Sequence, residues 1–212
     1  QEQAILAASV VAVAGMSVGS GIALSCVYSG MSGDIKIADF DSLETANLNR
    51  LRENLQSVGI SKAVLAARHI YELNPFARIH SFDKGIDSNN IDKFFTNPAA
   101  SVVVDEIDDF KMKVQLRLKA KEHHVPLLMF TSLGDNILVD VERYDLDPEL
   151  AIFNGAVAGL SEEILANNEI SAADAKRYAV QLVGPEFVPT KAMGSLPEIG
   201  KTLVGRPQLY ST

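Results

Sequence analysis

Apolar residues recur along the chain with two periods. Residues 10–14 (VVAVA), 35–38, 101–105 (SVVVD) and 125–131 (VPLLMFT) are short, nearly continuous apolar runs, the pattern of parallel strands covered on both faces. Residues 77–82 supply a further strand around Ile79, and residues 136–143 (NILVDVER) alternate like a half-exposed strand near a sheet edge. Between these runs apolar residues fall three to four apart, as on one face of a helix. One set is Ile22, Ala23, Cys26 and Val27; a second, over residues 46–58, is Leu48, Leu51, Leu55 and Val58, closed by Gly59. A third, Val64, Leu65, Ile70 and Leu73, begins at Ser61 as N-cap and ends at Asn74-Pro75. Residues 1–8 read as the end of a helix, 90–95 as a short helix and 110–124 as a basic amphipathic one. Strand and helix in alternation predict an α/β fold, a Rossmann-like, mostly parallel sheet with helices on both faces. After Leu146 strand signals fade; helices are expected over 161–166, 172–182 and 192–203, interrupted by Pro185 and Pro189. The chain thus divides into a sheet domain, residues 1–145, and a helical extension, residues 146–212.

Composition narrows the setting. At 47% hydrophobic and 22% charged residues the chain is ordinary for a soluble globular protein. No apolar run approaches the ~20 residues that cross a bilayer, so no membrane partner is expected. A net charge of −8 disfavours nucleic acid. The single cysteine, Cys26, excludes an internal disulfide and a Cys-X-X-Cys zinc site; it fits a reducing, cytoplasmic setting and reads as a buried, inert thiol. The chain opens at Gln1 without an initiator methionine, which suggests a piece of something longer.

Candidate chemistry gathers at the ends of the predicted strands. The first run stops at a turn of small residues, Gly15, Ser17, Gly19 and Ser20, that opens a helix, and the second stops at Asp39, 24 positions after Gly15. Such a turn lets backbone N–H groups approach phosphate at a helix N-terminus, and an acid about 20 residues on accepts from ribose hydroxyls. Asn47 and Arg50, three apart on one predicted helix, and Lys62, opening the next, make a site for polyphosphate. Asp105, Glu106, Asp108 and Asp109 follow the SVVV strand; a carboxylate there either holds Mg²⁺ or caps the next helix. Lys111, Lys113, Arg117, Lys119 and Lys121 read as a solvated basic face, and His123-His124 as cations at a helix C-terminus with no third metal ligand.

These motifs, in this order, resemble the ThiF/MoeB family of ATP-dependent activators of ubiquitin-like proteins. The matching stretches are VVAVAGMSVGS, ADFDSLETANLNR, VGISKAVLAARHIYELNP, VVVDEIDDFKMKVQLR and VPLLMF, together covering about residues 1–145. The resemblance implies a nucleotide-binding adenylation domain in which Asp39, in the strand-end segment it shares with Asp41, binds ribose, Asn47 and Arg50 contact phosphates, Lys62 reaches the triphosphate and Asp108 binds Mg²⁺, with Arg50, Lys62 and Asp108 carrying catalysis. It implies adenylation of a carboxylate, on a ubiquitin-like protein, a peptide or another acid, by a homodimer. Ser17 and Ser20 stand where family glycines are usual, Leu51 where a glutamine is usual, and the paired-cysteine zinc site and a catalytic cysteine are absent; no zinc and no thioester are expected. DEIDDFKMK and DVERYDLDP look closest to a branch in which the domain is fused to a nitroreductase-like one. Two other readings stand beside this: a degenerate, non-catalytic scaffold that binds a nucleotide or partner, and an NAD(P)-dependent oxidoreductase. The second is weakened because no tyrosine has a lysine four residues on.

Overall fold

The computed structural model describes residues 1–31, 33–132, 137–157, 159–167, 169–195, 198 and 201–202. Six strands form one sheet: β1 (Val10–Ala14), β2 (Asp34–Ala38), β3 (Arg78–Phe82), β4 (Val102–Asp105), β5 (Leu127–Ser132) and β6 (Ile137–Glu142), in the order β3-β2-β1-β4-β5-β6. All neighbours are parallel except β5 and β6, whose antiparallel pairing runs from Leu127↔Glu142 to Ser132↔Ile137. The order reverses between β1 and β4, which leaves a crevice at the carboxyl ends of those two strands, where open α/β sheets bind ligands.

The helices are α1 (Glu2–Ala8), α2 (Gly19–Tyr28), α3 (Lys62–Leu73), α4 (Ile91–Thr96), α5 (Phe110–His123), α6 (Leu160–Ala166), α7 (Ala172–Val183) and α8 (Thr190–Ser195). Every residue of β1 is buried, so its alternate side chains build two separate cores. Val11 and Val13 pack with Ile35, Ile37 and the inner residues of α2 and α3, while Ala12 and Ala14 pack with Phe94, Phe95 and Leu116 from α4 and α5. A third cluster joins α5 to the chain beyond β6, through Val114, Met129, Phe153, Leu160, Ile164 and Tyr178. Among the described residues no helix is long and apolar enough to cross a membrane.

Two expectations require correction. Residues 46–58 are not a helix: they hold two 3₁₀ turns, Thr45–Asn47 and Leu55–Ser57, with Leu55 72% exposed. Short polar side chains compete with the helical backbone here. Glu44 and Asn47 cap each other's backbone N–H groups, and Asn54 Oδ1 accepts from the Gln56 N–H at 2.8 Å. In α3 the inner face is Ala63, Leu65, Ala66 and Ile70, whereas Leu73 is exposed. The expected last helix is observed as Thr190–Ser195, and the rest of its span lies largely outside the described residues, as does the start of the expected edge strand at Asn136.

Candidate functional site

The turn after β1 is built by tight packing. Gly15 has φ +92°, and its N–H donates to the Ala38 carbonyl at 2.8 Å. A Cβ at Gly15 would lie 2.3 Å from the Glu106 carbonyl oxygen, and one at Gly19 would lie 2.6 Å from Val13 Cγ1. Only glycine fits either place, because the turn is pressed against the end of β4 and α2 against β1. Asp39 ties the turn to the next loop: Oδ2 accepts from the Met16 N–H (2.7 Å) and Oδ1 from the Asp41 N–H (2.8 Å). Burial raises the Asp39 pKa from its ordinary value, against the pull of those two N–H groups and of Lys62.

The chain then returns so that Lys62 sits beside this loop. Lys62 is buried; its Nζ lies 2.8 Å from Asp41 Oδ2 and its N–H donates to the Asp41 carbonyl at 2.9 Å. Ser61 caps α3 by accepting from the Val64 N–H, which aims the first turn of that helix, with Lys62, at the crevice. Arg50 follows the first 3₁₀ turn and donates from Nη1 to Asn49 Oδ1 (3.0 Å) and the Ala46 carbonyl (3.3 Å). Because the segment is not helical, Asn47 and Arg50 do not share a helix face. Asn47 is buried and its Oδ1 accepts from the Glu44 N–H at 2.9 Å.

These elements enclose a cleft of about 1470 Å³ whose lining includes Ser17, Ser20, Arg50, Lys62, Glu106 and Asp108. Of the residues singled out in the sequence, Ser17, Ser20, Arg50, Lys62 and Asp108 come together on its wall. Gly15, Gly19, Asp39, Asp41 and Asn47 do not line it; Asp39 and Asp41 bond to the Met16 N–H and the Lys62 Nζ of residues that do, and Asn47 caps the turn ahead of Arg50. Arg50 and Lys62 offer two cations to an anionic ligand, and the exposed Asp108 offers a carboxylate to the same cleft. That donor set suits Mg²⁺, which takes one or two carboxylates plus phosphate oxygens.

The acids after β4 separate. Asp109 caps α5, accepting from the Met112 N–H at 2.7 Å. Glu106 Oε1 accepts from the Phe130 N–H at 3.0 Å, and burial pushes its pKa up to about 7. Asp105 is fully buried against two cations, Lys113 Nζ at 3.2 Å and Arg117 Nη1 at 2.6 Å. Burial opposes its charge, but Lys113 and Arg117 outweigh that and hold its pKa below the ordinary value.

Lys113 and Arg117 are therefore not part of a solvated basic face; they are 9% and 0% exposed. Arg117 also reaches Glu142 Oε2 at 2.8 Å, off the axis of a good hydrogen bond, and its guanidinium lies 3.7 Å over the Phe153 ring. The sequence signal was present: Lys113 and Arg117 are four apart and share the α5 stripe with Val114 and Ala120. The histidine reading is also corrected. Asp92 and Glu122 approach His123 closely enough to form a metal-sized cluster, but Lys119 Nζ sits on both acids, at 2.7 and 2.9 Å. Cys26 is half-buried, and burial pushes its thiol up.

The ThiF family model matches residues 1–145. Uncharacterized protein MT1398 of Mycobacterium tuberculosis is 35% identical over 209 residues, 99% of this chain and 28% of that protein. The tRNA threonylcarbamoyladenosine dehydratase of Escherichia coli is 30% identical over 124 residues, 57% of this chain and 44% of that protein. The crystal structure of that E. coli dehydratase, TcdA, in complex with ATP superposes with a TM-score of 0.57 at 28% identity, covering 64% of this chain and 56% of that one. The chain thus spans less than half the length of these two curated relatives. With the family's pattern running through the strands and loops that build the cleft, the chain belongs to the ThiF family.

Proposed function

We propose that the chain binds ATP with Mg²⁺ in this cleft and adenylates a carboxylate, without a thioester step. The observation that carries the reading is that Arg50, Lys62 and Asp108 line the same cleft as Ser17 and Ser20 of the small-residue turn. It is supported by the TcdA structures of the same fold that hold ATP and AMP. The acceptor carboxylate is already ionised, so no general base is required. One of its oxygens bonds to the α-phosphorus as the bond from that phosphorus to the β-bridging oxygen breaks; pyrophosphate leaves with the electron pair, and an acyl adenylate remains. Arg50 and Lys62 neutralise charge on the phosphates, with Lys62 aimed by Asp41. Asp39, held at the turn by Met16 and Asp41, would accept from the ribose hydroxyls. Asp108 would hold Mg²⁺, which supplies further charge neutralisation.

The reading extends to assembly. In β6 the alternate residues Ile137, Val139 and Val141 are 63%, 48% and 44% exposed, an apolar row on an edge strand. A homodimer that covers this row is part of the proposal, as are a cytoplasmic setting, a nucleotide-binding domain over 1–145, and a helical extension over 146–212 that leads into a further domain.

Calorimetric titration tests the central claim. ATP with Mg²⁺ is expected to bind, NAD⁺ and NADH are not, and Asp108→Asn is expected to remove the Mg²⁺ dependence while the thermal midpoint stays put. Unchanged Mg²⁺-dependent affinity in the variant would remove Asp108 from the metal role; binding of NAD⁺ alone would overturn the reading.

A further inference from the structure

The sequence holds a single Asn-Gly step, Asn154-Gly155, and the fold places it between β6 and α6. The residue before it, Phe153, packs with Val114, Met129 and Tyr178, so this segment fastens the chain beyond β6 to α5. An asparagine followed by glycine is the one most open to attack by its own backbone. Glycine carries no side chain beside its nitrogen, so that nitrogen can reach the asparagine side-chain carbon, Cγ. Asn154 is also exposed to the water that such a reaction consumes.

In the reaction the Gly155 nitrogen bonds to Asn154 Cγ, the Cγ–Nδ2 bond breaks, and ammonia leaves with the proton of the glycine nitrogen. A five-membered succinimide remains. Water then adds to one of its carbonyls and reopens the ring, giving aspartate or isoaspartate at position 154. One amide and one water become one carboxylate and one ammonium, and no oxidant or further reactant enters.

Two features hold the reaction back. The ring closes only when the Gly155 nitrogen lies on the same side as Cβ. Asn154 has φ 51° and ψ 25°, and so small a ψ nearly eclipses the Gly155 nitrogen with Asn154's own nitrogen, turned away from Cβ. The leaving amide is held as well: Nδ2 donates to Asp140 Oδ1 at 2.5 Å and to the Val141 carbonyl at 3.4 Å. The backbone must therefore leave this turn before the ring can form. The turn is a costly one, with two successive non-glycine residues in the left-handed region. It is kept by Asp140 on Asn154 and by Glu142, which accepts from the Phe153 N–H at 2.6 Å.

The product cannot be held as the amide was. A carboxylate at 154 has no N–H to give Asp140 and sets a second negative charge beside it. The nearby cations are already shared. Arg117 serves Asp105, Glu142 and, at 3.7 Å, Asp140, while Lys113 serves Asp105. Burial pushes the Glu142 carboxyl up to about 7 even with Arg117 beside it. A further acid exceeds what these two cations neutralise.

We propose that Asn154 is a site of spontaneous deamidation, closed while Asp140 and the left-handed turn hold it and opened when that turn unlatches, and that the aspartate formed keeps the turn from re-forming. The modification is a one-way loosening of the joint between β6 and α6, and it does not depend on the chemistry of the cleft.

The test follows residue 154 of the whole chain by peptide mapping and mass spectrometry in warm, mildly alkaline buffer, beside a synthetic peptide of residues 151–157. The folded chain is expected to lose the Asn154 amide at least tenfold more slowly than the peptide, because reaction waits on local opening, and in urea to match it. Asp140→Ala is expected to raise the rate in the folded chain at least threefold. Asn154→Asp, which copies the charge change, is expected to lower the urea midpoint and to speed amide exchange at Phe153. Asn154→Gly, which also lacks the amide but suits a left-handed position, is expected to leave both nearly unchanged. Asn154→Asp combined with Asp140→Asn exchanges amide and carboxylate and is expected to restore most of the midpoint. Equal rates in the folded chain and the peptide would overturn the guarding role of the turn, as would an unchanged rate in Asp140→Ala. A midpoint in Asn154→Asp no lower than in Asn154→Gly would overturn the block on re-forming. The comparison of chain with peptide needs no variant, so a folding failure of Asp140→Ala still leaves the proposal open to refutation.

Discussion

Arg117→Met would test whether the charges buried beneath the cleft hold the fold together. Arg117 is 0% exposed and sits between two acids that are also 0% exposed, 2.6 Å from Asp105 and 2.8 Å from Glu142. Removing one member of a buried charge pair costs about 3–5 kcal/mol, because the partner is left without compensation. Two features place the expected loss near the lower end. Asp105 keeps Lys113, and Glu142 keeps the Tyr144 hydroxyl at 2.5 Å and the Phe153 N–H at 2.6 Å. Methionine also refills much of the apolar volume over Phe153. The expected loss is therefore about 3 kcal/mol, or about 6–12 °C in Tm for a domain of this size.

Urea unfolding at neutral pH, followed by circular dichroism, measures this directly, with the slope against denaturant unchanged. Adding Asp105→Asn to Arg117→Met is expected to recover part of the loss, since the unpaired charge is then gone. The effect should also be local. Phe153 and Asn154 hold left-handed conformations, φ 52° and 51°, unusual for non-glycine residues. Glu142 accepts from the Phe153 N–H and Asp140 Oδ1 accepts from Asn154 Nδ2, so this turn should exchange its amide hydrogens faster in the variant. A loss below about 1 kcal/mol, with unchanged exchange at Phe153, would refute the argument that the buried charges brace this turn.

Gly15→Ala should cost at least about 2 kcal/mol by thermal unfolding, since its Cβ would meet a backbone oxygen at 2.3 Å in a left-handed conformation. Asp109→Ala should lower stability by about 1 kcal/mol through loss of the α5 cap and leave ATP affinity alone, the reverse of what Asp108→Asn is expected to do. Lys36 is buried with Nζ 2.9 Å from the Lys93 and Phe94 carbonyls, and burial pushes its pKa down to about 8 from 10.5. The unfolded chain therefore holds the extra proton between these values, so this group's contribution to stability rises with pH from about 8 to about 10.5, by about 3 kcal/mol in all. Lys36→Met should abolish that slope in unfolding measured across the window.

The sheet was legible because its strands are covered on both faces: a run such as VVAVA, buried at every position, has no other stable place. The segment 46–58 was misread because Leu48, Leu51, Leu55 and Val58 match a helical period while Asn47 and Asn54 cap turns that end the helix before it starts. Period reports which residues are apolar, not which backbone groups the asparagines capture. Ser17, Ser20, Arg50, Lys62 and Asp108 could be gathered from the sequence because they follow the carboxyl ends of strands, and the topology brings those ends together. The bracing of the cleft could not be read the same way. It depends on bonds such as Met16 N–H to Asp39 and Lys62 to Asp41, which span 23 and 21 positions and exist only once the strands are paired.

The segment from Asp105 to Asp109 shows why a cluster of like charges need not be a single site. Four acids stand in five positions, yet each meets a different fate, set by where the strand stops and the helix begins. Asp105 is still in β4, on the face toward α5, so it is buried and must find cations; Lys113 and Arg117, one and two turns into that helix, are in reach. Glu106 is the first residue past the strand, beside the edge of β5, and takes the Phe130 N–H. Asp109 precedes α5 and caps it. Asp108 remains exposed and lines the cleft, the position from which a carboxylate can meet a ligand. The loop thus separates a charge that must stay inside from one that must face outward by only three residues, and the Asp105 network fixes the helix that carries Asp108 at its threshold. Disturbing Arg117 should therefore act on ATP affinity only through stability, whereas Asp108→Asn should act directly on Mg²⁺-dependent ATP affinity.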